Sequence, residues 1–87
     1  MLNSQNTWTP PILDLTVDRY AAFKMWKSRW NDFVVVTGLS EKQPEFQCSM
    51  LRYAFSEDTR KIYESLSLTE NDKKDVNVIL NAMETFH

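Results

Sequence analysis

The sequence is poor in the residues that build tight turns, disulfides and metal sites. It contains one Gly, three Pro and one Cys among 87 residues. So little glycine leaves few positions for the hairpin turns of a small β-protein, and helices are favoured instead. Because Cys48 is the single cysteine, the chain cannot form an internal disulfide, which is typical of an intracellular protein.

Positive charge and long apolar runs are also scarce. The net charge is -2 and the pI is near 5.3, so the chain lacks the basic excess that drives binding to phosphate backbones. No run approaches the ~20 apolar residues of a membrane span, and the first residues have neither the basic nor the apolar region of a secretory signal. We therefore expect no specific nucleic-acid partner and no membrane association.

What is present is enough apolar material for one small domain. Hydrophobic residues make up 43% of the chain and charged residues 25%, close to the composition of soluble globular domains. Residues 1–16 form a predicted N-terminal arm, and residues 17–87 form a predicted helical domain. The prolines Pro10 and Pro11 exclude a helix in the arm, so an extended segment is expected. The sequence leaves open whether this arm docks on its own domain or is disordered.

The longest predicted helix begins at Val17 or Asp18 and ends at Gly38. Asp18 or Thr16 can cap its start, and a glycine suits the left-handed position after its last turn. The β-prone run 34–36 leaves a strand as the less favoured alternative. Apolar residues recur at steps of three and four on one face of this helix: Tyr20, Phe23, Trp26, Trp30, Phe33 and Thr37.

Three shorter helices are predicted to follow, giving an all-α compact bundle of four helices, or five. The second begins at Pro44 and includes Phe46 in its apolar stripe, the third is capped by Ser56, and the fourth is capped by Thr69 or Asn71. The predicted core residues of the whole bundle are Phe23, Trp26, Trp30, Phe33, Leu51, Ile62, Tyr63, Leu66, Val76 and Leu80.

The sequence offers little catalytic chemistry. His87 is terminal and Cys48 lies inside a predicted helix, so no positioned Cys-His pair can be argued, and Cys48 is interpreted as a small buried hydrophobe. No metal-binding motif and no glycine-rich phosphate loop occur. Glu57 and Asp58 fit the first turn of a helix better than an acid/base pair. We expect no enzymatic activity, no cofactor and no metal.

The aromatic residues of the first helix allow a second interpretation, a stacking platform for single-stranded nucleic acid. A platform needs excess basic charge, and the nearby Lys24 and Lys27 are balanced by acidic residues such as Asp18 and Asp32. The core interpretation is therefore preferred. A helix-turn-helix DNA-binding domain is also disfavoured, because none of the predicted helices is clearly basic.

Read with their spacing, several residues resemble the start of the Gag capsid region of Ty3/gypsy-type long-terminal-repeat retrotransposons. That region has an aromatic stripe that runs into a Thr-Gly-Leu helix stop. The resemblance extends from about Tyr20 to the end of the chain. The residues that carry it are Phe23, Trp26, Lys27, Trp30, Phe33, Thr37, Gly38, Leu39, Lys42, Gln47, Leu51, Glu57, Ile62, Tyr63, Leu66, Val76, Leu80 and Phe86.

The resemblance implies a capsid N-terminal lobe, which is a non-catalytic module of a self-assembling shell and a weak homo-oligomer when isolated. The family's second capsid lobe and RNA-binding zinc knuckle would follow His87. The alternative is a domesticated host protein that binds short peptide segments in a hydrophobic groove. The candidate residues for self-association or for such a groove are Trp8, Ile12, Leu13, Lys24, Lys27 and Asn31.

Overall fold

The computed structural model describes residues 9–16 and 18–86, and these residues fold around one hydrophobic core. Within them lie four α-helices, which confirms the all-α prediction: α1 (Arg19–Thr37), α2 (Pro44–Tyr53), α3 (Glu57–Ser65) and α4 (Val76–Glu84). Two short 3-10 turns, Leu39–Glu41 and Asp72–Lys74, lie in the connections.

The arm docks on its own domain over the residues that the structure describes. The N–H of Leu13 donates to the carbonyl of Ala54 at 2.8 Å, and the N–H of Ser56 donates to the carbonyl of Leu13 at 2.9 Å. This pairing forms an isolated parallel bridge between Leu13 and Phe55. Leu13 and Leu15 are completely or almost completely buried. The arm therefore contributes to the core. The sequence left open whether the arm is docked or disordered, and residues 9–16 are docked.

Helix α1 begins and ends at the residues that the sequence indicates. The Asp18 side chain accepts a hydrogen bond from the N–H of Ala21, so Asp18 rather than Thr16 is the cap. Gly38 has φ +69° and donates its N–H to the carbonyls of Val34 and Val35. A left-handed residue at this position is strained unless it is glycine, and it stops the helix before the next element. Residues 34–36 are helical, so the strand alternative is wrong.

The aromatic residues of α1 pack as a continuous ladder along its inner face. Successive ring centroids from Phe23 through Trp26 and Trp30 to Phe33 lie 5.7, 5.4 and 5.5 Å apart. Phe23, Trp26 and Trp30 are buried, and Phe33 is half-buried against the core. These separations are within the range of favourable aromatic pairs. The ladder is a packing element of the core, and its three buried rings are not available to stack on nucleic-acid bases.

The remaining predicted core residues fall into two groups. Leu51, Tyr63 and Leu80 are buried, whereas Ile62, Leu66 and Val76 are half-buried and pack against the buried cluster.

Two members of the predicted apolar stripes lie at the surface instead. Tyr20 is 77% exposed because it lies in the first turn of α1, beside a groove rather than over the core. Phe46 is 48% exposed because it lies in the first turn of α2, at the edge of a shallow cavity that also contains Phe33 and Met50. Both residues stand at helical spacing from another apolar residue of their stripe, but they lie to the side of the face that the core covers.

The start of the fourth helix differs from the prediction. Thr69 and Asp72 exchange two hydrogen bonds of 3.1 Å between side chain and backbone, but this box caps only the 3-10 turn Asp72–Lys74. Asn71 makes no capping bond, and α4 begins after Asp75, whose side chain accepts from the N–H of Asn77. The preceding stretch, residues 69–75, has no apolar side chain to bury, so α4 is shorter than expected.

The start of α3 follows the prediction and includes a buried polar residue that the sequence did not indicate. The Ser56 hydroxyl accepts from the N–H of Thr59 at 3.2 Å and donates to the Thr59 hydroxyl at 2.9 Å. The same Thr59 oxygen accepts from the N–H of Leu15 at 3.0 Å, and Thr59 is fully buried. Thr59 thus joins the helix cap to the arm.

Candidate functional site

A large cavity lies in a groove between the N-terminal half of α1 and the C-terminal end of α4. Its volume is about 770 Å³, which is within the range of ~300–1,000 Å³ typical of ligand sites. Leu15 of the arm, Met83 of α4 and Phe86 just beyond it supply apolar lining. From α1 the groove is lined by Arg19, Tyr20, Phe23, Lys24, Lys27, Ser28 and Asn31. We call this cavity the α1–α4 groove.

The lining of the α1–α4 groove is positively charged in a chain whose net charge is negative. Arg19, Lys24 and Lys27 contribute three cations, whereas Glu84 contributes the single carboxylate. The Lys27 ammonium lies 3.8 Å from a Glu84 carboxylate oxygen, so this pair partly neutralises itself. Among the described residues, the other two cations of the lining, Arg19 and Lys24, have no carboxylate within 4.0 Å.

Those two cations lie against aromatic rings. The guanidinium carbon of Arg19 is 4.9 Å from the centroid of the Phe86 ring, and the Lys24 ammonium is 5.9 Å from the centroid of Tyr20. Such contacts hold a cation above an apolar surface, with its charge still directed outwards. The groove thus presents apolar rings with cations at their faces, an arrangement suited to a ligand that carries both apolar and anionic groups.

The structure brings together three of the candidate residues and separates the others. Lys24, Lys27 and Asn31 all line the α1–α4 groove. Leu13 is fully buried in the core of its own domain. Ile12 is 58% exposed and lies outside the groove. Trp8 lies outside the described residues.

A second surface, on the outer side of α1, was not predicted. Met25, Val35 and Val36 are 67%, 80% and 60% exposed, although they belong to a helix whose inner face is already filled with aromatic residues. A shallow cavity beside Val36 is lined by Arg29, Asp32 and the arm residues Thr9 and Pro11, together with Phe33. The exposed side of α1 therefore carries apolar side chains among polar and charged ones.

The potentially reactive side chains of the described residues occupy positions typical of structural residues. Burial raises the pKa of the Cys48 thiol, with Arg52 opposing the shift and Asp75 adding to it. A buried thiol with a raised pKa is a poor nucleophile at neutral pH. Glu57 and Asp58 are exposed in the first turn of α3. Across residues 9–16 and 18–86, no group of three His, Cys, Asp or Glu side chains is arranged to hold a metal ion.

Among the described helices, none combines the length and the apolar character needed to cross a membrane.

Comparisons of this chain with models of known protein families, with curated proteins and with solved structures find no match.

Proposed function

We propose that this chain is a Gag-like capsid lobe, a structural module that self-associates through modest contacts to build a retrotransposon-type shell. The observation that carries the proposal is that α1 exposes large apolar side chains in addition to those that it buries. Its inner face buries Phe23, Trp26 and Trp30, while its outer face leaves Met25 and Val36 exposed. A surface helix that packs one face on a core normally has a polar opposite face, so outward apolar residues indicate a protein contact.

The sequence resemblance supports the same proposal. Residues that carry it hold defined structural positions: Trp30 is in the aromatic ladder, Gly38 ends α1 in the left-handed conformation, and Leu39 is buried directly after the stop. The proposed role requires no catalytic group, cofactor or metal, because a shell subunit functions by binding other copies of itself.

Sedimentation equilibrium tests self-association directly. The apolar area on one helix face is small compared with the ~1,200–2,000 Å² of stable complexes, so the chain is expected to be a monomer at micromolar concentration. The average mass should rise as the concentration approaches the millimolar range. Fusion to an unrelated ring-forming scaffold raises the local concentration and should give ordered assemblies under the electron microscope. A constant monomer mass together with unassembled fusions would contradict the shell-subunit proposal.

A second candidate function is a peptide-binding adaptor, and the α1–α4 groove favours it. Leu13 is buried in the core of its own domain, and a peptide would use the α1–α4 groove, to whose lining the arm contributes Leu15. The first turns of α1 place Arg19 and Lys24 against aromatic rings. Charge complementarity therefore suggests an acidic segment with an aromatic or large aliphatic side chain.

A displayed library of random peptides of about twelve residues tests the adaptor. Enrichment of acidic, aromatic-containing peptides would support it, and loss of their binding in Lys24→Glu but not in Lys61→Glu would place them in the groove. Both variants change the charge equally, and Lys61 is exposed on α3 away from the groove. Tyr20→Ala and Tyr53→Ala form a second matched pair, because both rings are exposed and only Tyr20 lines the groove. Failure to enrich any peptide would remove the adaptor candidate.

A further inference from the structure

Four exposed side chains along one side of α1 form a stripe with a symmetric order, and three of them lie beside the arm residues Thr9 and Pro11. They are Met25, Arg29, Asp32 and Val36, separated by four, three and four residues, the spacing that places side chains on one helix face. All four are exposed. In the described part of the chain, neither Arg29 nor Asp32 forms an ion pair within 4.0 Å. We call this set the α1 stripe.

The order of the α1 stripe is apolar, cationic, anionic, apolar, and its midpoint lies between Trp30 and Asn31. Arg29 and Asp32 are each about 2 Å from that midpoint along the helix axis, on opposite sides, and Met25 and Val36 are each about 8 Å from it. Reversing the direction of the helix therefore exchanges the two charges and superposes the two apolar positions. A surface with this property is complementary to a reversed copy of itself.

We propose that the α1 stripe docks against the α1 stripe of a second copy of this chain, antiparallel and about a two-fold axis at the Trp30–Asn31 midpoint. In this arrangement each Arg29 faces Asp32 of the second copy, and each Met25 faces Val36 of the second copy. The contact is isologous, so one surface supplies both halves. This inference rests on the proposed self-association and identifies the surface that carries it.

Charge selects this arrangement among the ways in which two such helices can pair. A parallel two-fold pairing places Arg29 opposite Arg29 and Asp32 opposite Asp32, which repels at both positions. In the antiparallel pairing, each Arg29 lies opposite an Asp32, so the charges attract at both positions. The apolar pairs of Met25 and Val36 flank the charges at both ends of the stripe. The charge pattern of the stripe therefore favours a second copy of this chain as its binding partner.

Charge-reversal variants test the pairing because the antiparallel arrangement predicts which chain each variant should bind. Arg29→Asp alone leaves two acidic residues on the stripe, and Asp32→Arg alone leaves two basic residues, so each variant should associate about tenfold less tightly with itself than the wild type does. An equimolar mixture of the two variants should recover wild-type association, since all charges then face opposite charges. The double variant that exchanges Arg29 and Asp32 should also self-associate like the wild type. Lys61→Glu, away from the stripe, is the control for a change in net charge.

Disulfide trapping tests the direction of the helices. A mixture of Met25→Cys and Val36→Cys chains should form a mixed disulfide under mild oxidation, because these positions face one another. Met25→Cys alone should not form dimers, since its two copies lie about 16 Å apart along the axis, well beyond the ~7 Å that a disulfide can bridge. Cys48 is buried, so the wild-type chain is the background control.

The outcomes separate this inference from the proposal on which it rests. Association that is unaffected by both single charge reversals, with no mixed disulfide, would show that self-association uses another surface, and the α1 pairing would be overturned. Dimers of Met25→Cys alone would overturn the antiparallel arrangement. Absence of any association up to millimolar concentration, together with unassembled ring-scaffold fusions, would overturn both the pairing and the shell-subunit proposal.

Discussion

The indole N–H of Trp26 donates a hydrogen bond of 2.8 Å to the backbone carbonyl of Pro11. Trp26 is buried in the aromatic ladder of α1, stacked on Trp30 at 5.4 Å, so its ring is held in place from within the core. Through this bond the rigid centre of α1 fixes the position of the arm. Two residues later, the arm pairs with the segment between α2 and α3 at Leu13.

Trp26→Phe is expected to loosen the arm. The substitution keeps an aromatic ring in the ladder but leaves the Pro11 carbonyl without its donor, at a cost of about 1–3 kcal/mol. Hydrogen exchange at the Leu13 N–H should accelerate more than exchange at amides inside α1. Equal acceleration at both places would mean that the bond supports global stability rather than the docking of the arm.

Trp30→Ala is expected to destabilise the whole domain by about 3–5 kcal/mol, the range typical of removing a buried aromatic side chain. Trp30 is 2% exposed and contacts rings on both sides of the ladder. Urea unfolding monitored by circular dichroism measures the loss. Tyr20→Ala, which removes an exposed ring from the same helix, should have little effect. An unchanged midpoint for Trp30→Ala would contradict the assigned core.

Thr59→Val is expected to cost about 1–3 kcal/mol although it preserves the shape of the side chain. It removes the oxygen that accepts from the Leu15 N–H and from the Ser56 hydroxyl in a fully buried position. Thr59→Ser keeps that oxygen and should retain most of the stability. If thermal melting ranks the serine variant below the valine variant, methyl packing dominates at this site and the hydrogen bonds do not.

Gly38→Ala is expected to destabilise the domain by about 1–2 kcal/mol through backbone conformation alone. A Cβ at Gly38 would meet no atom within 4 Å, so no steric clash with the rest of the chain contributes. The φ of +69° is the cause. Gly38→Asn should lose less, because asparagine tolerates the left-handed region better than alanine does. Chemical denaturation of the three proteins under one condition gives the comparison, and equal stabilities would refute the conformational argument.

RNA and DNA are expected to bind this chain weakly and without sequence preference. The net charge of -2 gives no favourable long-range field, and the three cations of the α1–α4 groove are partly offset by Glu84. An electrophoretic mobility shift at physiological salt should show little retardation. Submicromolar binding that weakens steeply as salt is added would contradict this expectation.

The sequence by itself determined the helical class, the capped ends of α1 and the residues of the aromatic ladder. These features depend on local rules. A period of three to four residues selects one helix face, Asp18 can accept the first free backbone N–H, and Gly38 is the one residue type that takes a left-handed stop without strain. Neighbours along the chain carry all of this information.

Only the tertiary structure decided where the core ends and what its surface contains. The helical period assigned Tyr20, Phe46 and Trp30 alike to apolar stripes. Burial, however, depends on whether another element lies over the side chain. The docking of the arm through Leu13 and Thr59 joins residues more than 40 positions apart, a separation that no local pattern reports. The α1–α4 groove likewise exists only because the end of α4 lies beside the start of α1, which brings Glu84 and Phe86 to the cations of the first helix.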